Sequence, residues 1–126
     1  MKGIEFVFLG MGAILGAFLR YKITAAPLLF GNLSNVLLVN IVGSFILGIF
    51  SVLSASLNLD SRYSFLVAIG FCGSLTTMSS FALESVNMLD NRQFLYVATN
   101  IIANVSLSLL AVYGGRILIS HIMNNN

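Results

Sequence analysis

Val36-Leu-Leu-Val-Asn-Ile-Val-Gly-Ser-Phe-Ile-Leu-Gly-Ile-Phe50 runs for fifteen residues without a charge, and only Asn40 and Ser44 in it are polar. A strand of a membrane barrel alternates apolar and polar residues. Here the apolar run is continuous, so the segment reads as a helix that satisfies its own backbone within lipid. The rest of the chain follows the same pattern. Its charges are Lys2, Glu5, Arg20, Lys22, Asp60, Arg62, Glu84, Asp90, Arg92 and Arg116, and they bound charge-free runs at 6–19, 23–59, 63–83 and 93–115. A spanning helix needs about 20 mostly apolar residues. The run 23–59 is too long for one span and holds the turn signal Pro27-Leu-Leu-Phe-Gly-Asn32, while 6–19 is too short, so its helix continues past Arg20. The pattern predicts an all-α membrane protein, a single transmembrane domain over 1–126. Its four transmembrane helices lie at about 3–26, 33–56, 62–88 and 93–121.

Composition agrees. Of 126 residues 58% are hydrophobic and only 8% charged, against about 25% charged in an ordinary soluble domain. So few charges cannot keep a soluble surface wet, which excludes an independently soluble or nucleic-acid-binding domain. The lone cysteine, Cys72, excludes an intrachain disulfide. The first apolar stretch follows Lys2 as a signal peptide would, yet it passes through Arg20-Tyr-Lys22 with no small-residue cleavage site, so it reads as a retained helix. The closing Asn124-Asn-Asn126 reads as a frayed tail.

Four spans put both termini on one side. That side carries Lys2, Arg62 and Arg116; the other carries Arg20, Lys22 and Arg92. Orientation follows the excess of Lys and Arg in cytoplasmic loops, and here there is no excess. The balance favours dual topology, with the same chain inserted both ways and paired antiparallel as a dimer.

Polar groups inside spans are costly and are functional candidates. In the first span Gly12 and Gly16 form a small-xxx-small packing pair, and Arg20 either snorkels or places positive charge at a mouth. Asn40 either ties two helices together or offers its amide to an anion; Gly43, Ser44 and Gly48 mark a packing face. The third span contains Gly70-Phe-Cys-Gly-Ser-Leu-Thr-Thr-Met-Ser-Ser-Phe81, two glycines and five hydroxyl residues together. Such a stretch weakens a regular helix, so a break in mid-membrane is expected. Its freed carbonyls would suit a small hard cation. Glu84 follows Phe81 by one turn and lies near a helix end. In the fourth span Tyr96, Asn100, Asn104 and Ser108 recur every four residues, a polar stripe along a pathway or a polar seam. Amide and hydroxyl donors, aromatic ring edges and no mid-membrane Lys or carboxylate suit a small anion.

These motifs resemble the small fluoride channels called Fluc or CrcB, and the resemblance covers the whole chain. It rests on Gly12-Ala-Ile-Leu-Gly-Ala-Phe-Leu-Arg-Tyr21, on Val39-Asn40 with Gly43-Ser-Phe45 and Gly48, and above all on Gly70–Phe81. The resemblance implies an antiparallel, dual-topology homodimer in the cell membrane. Two narrow pores would let fluoride leave the cytoplasm passively. It implies no enzymatic activity. It also implies a structural sodium ion at the dimer centre, held by the backbone carbonyls of Gly73 and Thr76 from each subunit. The fluoride pathway it implies comprises Asn40, Thr77, Met78, Phe81, Asn104 and Ser108, with Arg20 and Glu84 supplying vestibule electrostatics.

The chain departs from the family pattern in four places. Met78 stands where a Phe is usual, Val36 where a Thr is, Ala82 where a Ser is, and Val112 where a hydroxyl is. These changes strip hydroxyls and a ring edge from the presumed path, and they leave two assemblies open. One is the homodimer; the other is a heterodimer in which this chain is a non-conducting or half-competent partner of a related subunit. A small proton-coupled multidrug exporter also has four helices but needs a deep carboxylate in its first span, where the chain has only Glu5 at the edge.

Overall fold

Hydropathy and length dictate four long helices, and the computed structural model, which describes residues 2–28 and 34–125, contains four long and apolar enough to cross a membrane. They are α1 (Gly3–Ala25), α2 (Asn35–Ser56), a third span over Ser61–Asp90, and α6 (Phe94–Asn124). The third span is composite: a short α3 (Ser61–Tyr63), a π-helical stretch (Ser64–Cys72), a short α4 (Gly73–Leu75) and α5 (Met78–Asp90). No strand occurs among the described residues.

Helix ends differ from the sequence reading by a few residues, for local reasons. The first helix stops at Ala25 because Ala26 precedes Pro27 and is extended. Much of the predicted turn at 27–32 lies outside the described residues, but its entry is tied down: the Asn35 amide donates to the Ala26 carbonyl at 2.9 Å. The second helix starts at Asn35 because Ser34 caps it, its hydroxyl accepting the Val36 N–H at 3.0 Å. Asp60 caps α3, and the Arg62 N–H on its carboxylate holds that carboxyl below its ordinary range. The span then runs to Asp90, ending in a left-handed Arg92 (φ 57°) with Gln93 N–H bonded back to Met88, a Schellman-type closure. Asn58 (φ 46°) ends α2 the same way, with Leu59 N–H on Ser54. Of the C-terminal asparagines expected to fray, Asn126 lies outside the described residues; α6 continues to Asn124, and the exposed Asn125 amide meets His121 Nε2 at 2.9 Å.

Packing follows the glycines. α2 lies along α6, and α1 along the π-helical stretch. A Cβ on Gly48 would strike the Val112 carbonyl, and one on Gly115 the Phe45 carbonyl, so these two helices approach backbone to backbone. Gly12 and Gly16 likewise lie under the Leu66 and Phe71 carbonyls. The fully buried interior is small, centred on Val39, Cys72 and Leu75. Outward, Ile14 (72% exposed), Ile102 (65%) and Leu95 (79%) stand free. In water that surface would be a severe liability; in a bilayer it is the solvent-facing side.

Candidate functional site

The local chemistry of Gly70–Phe81 leads to a specific backbone geometry. Thr76 N–H makes the last helical bond, to Cys72, at 3.0 Å. Thr76 (φ −77°, ψ 154°) and Thr77 (φ −151°, ψ 117°) are then extended before α5 begins at Met78. In a continuous helix Thr77 N–H would bond back to Gly73. Here it donates to Asn40 Oδ1 at 2.8 Å, and the Asn40 amide donates to the Thr77 carbonyl at 3.3 Å. One side chain thus satisfies both polar groups of an extended residue where water is scarce, and leaving such groups bare would cost about 1–3 kcal/mol each. Ser80 N–H likewise turns away from its helical partner, Thr76, to the Thr77 hydroxyl at 3.2 Å, which caps α5.

Asn40 opens a longer chain of hydrogen bonds. Its amide donates to Asn104 Oδ1 at 2.9 Å; Asn104 donates to Asn100 Oδ1 at 2.9 Å and to the Asn100 carbonyl at 3.0 Å. Asn100 donates to the Ser85 hydroxyl at 3.1 Å and to Glu84 Oε2 at 3.3 Å, and the Ser34 hydroxyl donates to Glu84 Oε1 at 2.5 Å. Every amide points its N–H₂ toward the carboxylate. Thr77, Asn40, Asn104, Asn100 and Glu84 are therefore polarised in one direction, the arrangement in which successive hydrogen bonds reinforce each other.

Beside this chain lies a groove of about 490 Å³. Its walls include Asn40, Thr77, Met78, Phe81, Asn104 and Ser108, all six residues of the expected pathway, together with Gly73 and Thr76. Three spans contribute them. Met78 is 74% exposed there, and Val112 lines the wall where a hydroxyl was noted as missing.

Arg20 and Glu84 lie elsewhere. Arg20 reaches back from α1 until its guanidinium is 3.5 Å from the Thr76 carbonyl. Glu84 is half-buried and holds the far end of the amide chain. Tyr96, at the head of the polar stripe, is 59% exposed and stays out of the network. The sequence reading missed Ser34 and Ser85 as partners. Ser34 carried a usable signal, a serine just before an apolar helix; Ser85 carried none.

Comparison with known proteins completes the description. Residues 7–116 match the family model described as CrcB-like protein, Camphor Resistance (CrcB). A protein of Nitrosopumilus maritimus named fluoride-specific ion channel FluC is 63% identical over 126 residues, covering 99% of this chain and 100% of the relative. The protein of that name from Methanococcus aeolicus is 37% identical over 90% of this chain and 94% of its own length. The one from Koribacter versatilis is 38% identical, over 94% and 97%.

Proposed function

The chain belongs to the CrcB-like family, and from that premise we propose that it is a fluoride-selective ion channel of the cell membrane that lets fluoride leave the cytoplasm passively and so lowers its toxicity. It is a multi-pass membrane protein and not an enzyme. The observation that carries the reading is the convergence of Asn40, Thr77, Phe81, Asn104 and Ser108, from three spans, on one groove. Fluoride leaving water needs donors in succession. Hydroxyls supply them directly, and the 3.3 Å bond from the Asn40 amide to the Thr77 carbonyl is the longest link of that pair, the one most cheaply exchanged for an ion. The edge of the Phe81 ring adds a positive rim.

The groove is open along one side in the single chain. A second copy inserted in the opposite sense would close it, and the even split of three Lys and Arg on each face supports such a dual-topology, antiparallel dimer. The extended Thr76–Thr77 pair supports reading the third span as broken in mid-membrane. There the Gly73 and Thr76 carbonyls have both lost their helical donors, Thr77 N–H to Asn40 and Ser80 N–H to Thr77 Oγ1, and Thr76 keeps only a long 3.5 Å contact from Arg20 that an ion would have to displace. Freed carbonyls with no acid among them fit a structural sodium ion at the dimer centre. When bound, the ion supplies a fixed positive charge that holds these carbonyls together.

A second reading has one specific support: Met78 and Val112 both line the groove, so this chain's own pore surface is poorer in donors. In that reading the chain is a half-competent partner in a heterodimer. The two are separated by expressing the chain alone in bacteria that lack their fluoride exporter. Growth at fluoride levels that arrest the parent strain supports the homodimer; growth restored only by co-expressing a second, related subunit supports the heterodimer.

A further inference from the structure

α2 and α6 run parallel in fixed register, and their facing residues form a ladder. The first rung is Asn40–Asn104, closed by a 2.9 Å hydrogen bond. Two turns further on, Gly48 lies directly beneath the Val112 carbonyl, and the backbones touch. The rung between them is Ser44 and Ser108, one turn (about 6 Å along the helix) past the asparagines. Both serines line the groove. A helical serine usually returns its hydroxyl to a carbonyl of the preceding turn. Ser51 and Ser85 do so, each at 2.8 Å, to Gly48 and Phe81. Ser44 and Ser108 do not; among the described residues Ser64, Ser74, Ser106 and Ser120 also make no such bond, but of these six only Ser44 and Ser108 line the groove. Packing alone would be served as well by alanine, and a hydroxyl left bare at membrane depth is costly unless water or an ion meets it.

We propose that Ser44 and Ser108 together form a two-hydroxyl fluoride-contact site, with Ser44 a further fluoride-binding residue beyond the asparagine rung. The inference rests on the channel reading and extends it. It gives α2 a donor facing the α6 track. It also places that donor one turn before Val112, where the α6 wall of the groove has no further hydroxyl.

The test is fluoride efflux from proteoliposomes loaded with potassium fluoride, read with a fluoride electrode, for the wild type, Ser44→Ala, Ser108→Ala, the double variant and Ser106→Ala. Alanine favours the helix, so each variant is expected to elute and unfold as the wild type does. Ser44→Ala is expected to slow efflux about tenfold, the scale of one hydrogen bond to an ion. Ser106→Ala, on the exposed side of α6, is expected to keep the wild-type rate. Because both hydroxyls serve one ion, the double variant is expected to lose less than the product of the two single losses. Unchanged efflux in Ser44→Ala overturns the inference, as does a fully multiplicative double variant. If the wild type itself shows no efflux, the homodimeric channel reading falls, and this inference with it; wild-type efflux beside an inert Ser44→Ala sinks the inference alone.

Discussion

Asn40 lines the groove proposed as the pathway and also holds the fold around it. From sequence its two roles, tie and donor, were equally open. The structure engages its amide fully, with the Thr77 N–H and carbonyl on one side and Asn104 on the other. A typical interhelical hydrogen bond in a membrane is worth only about 0.6 kcal/mol, because its partners find substitutes. Thr77 is buried and extended, and both its peptide groups are bonded to Asn40, so the larger orphan cost applies. Asn40→Leu is therefore expected to lower stability by about 2–4 kcal/mol, measured as an earlier unfolding midpoint in mild detergent. Asn40→Asp keeps the acceptor for Thr77 N–H but removes both donations and puts a negative charge on the groove. It is expected to abolish fluoride efflux; efflux near wild type in Asn40→Asp would take this residue out of the pathway. The candidate residues were legible because polar atoms in an apolar span are conspicuous. Their partners were not, since Ser34 and Ser85 meet Glu84 and Asn100 only after three spans pack.

At the scale of elements, glycine placement decides which helices touch. Gly114 and Gly115 are neighbours in α6, yet a Cβ on the first meets nothing within 4 Å and one on the second collides with the Phe45 carbonyl. Gly115→Ala is expected to destabilise by about 1–3 kcal/mol, and Gly114→Ala to be neutral or mildly stabilising. Unfolding midpoints of the two variants test this, and equal shifts would contradict the packing described for α2 and α6. The composite third span was legible as a weak helix from its hydroxyls and glycines. The π-helical stretch before it was not, because no propensity rule marks Ser64–Cys72 and the wide turns answer to the glycine notches of α1. The polar stripe of α6 was half legible for a geometric reason. A spacing of four overshoots a helical turn by about 40° each time, so a stripe that is centred on Asn100 and Asn104 has already swung Tyr96 outward.

For the whole molecule, the governing quantities are the number and placement of charges. Ten charges among 126 residues leave nothing for a soluble surface, and their spacing marks out the four spans. The even split between faces makes orientation sensitive to one added cation. Gln93→Lys, in the connection before α6, is expected to bias the chain to one orientation and, if the working unit is antiparallel, to silence efflux. A reporter fused at the C-terminus reads the orientation directly, and a mixed population in the variant would argue against balance as the determinant. The open side of the groove could not be read from the sequence, which records where apolar surface lies and not whether lipid or a second copy covers it. The central claim is that this chain conducts fluoride. The most direct measurement is fluoride efflux from liposomes containing only this purified protein. The account predicts release far faster than from empty vesicles, with chloride retained; release no faster than from empty vesicles would contradict it.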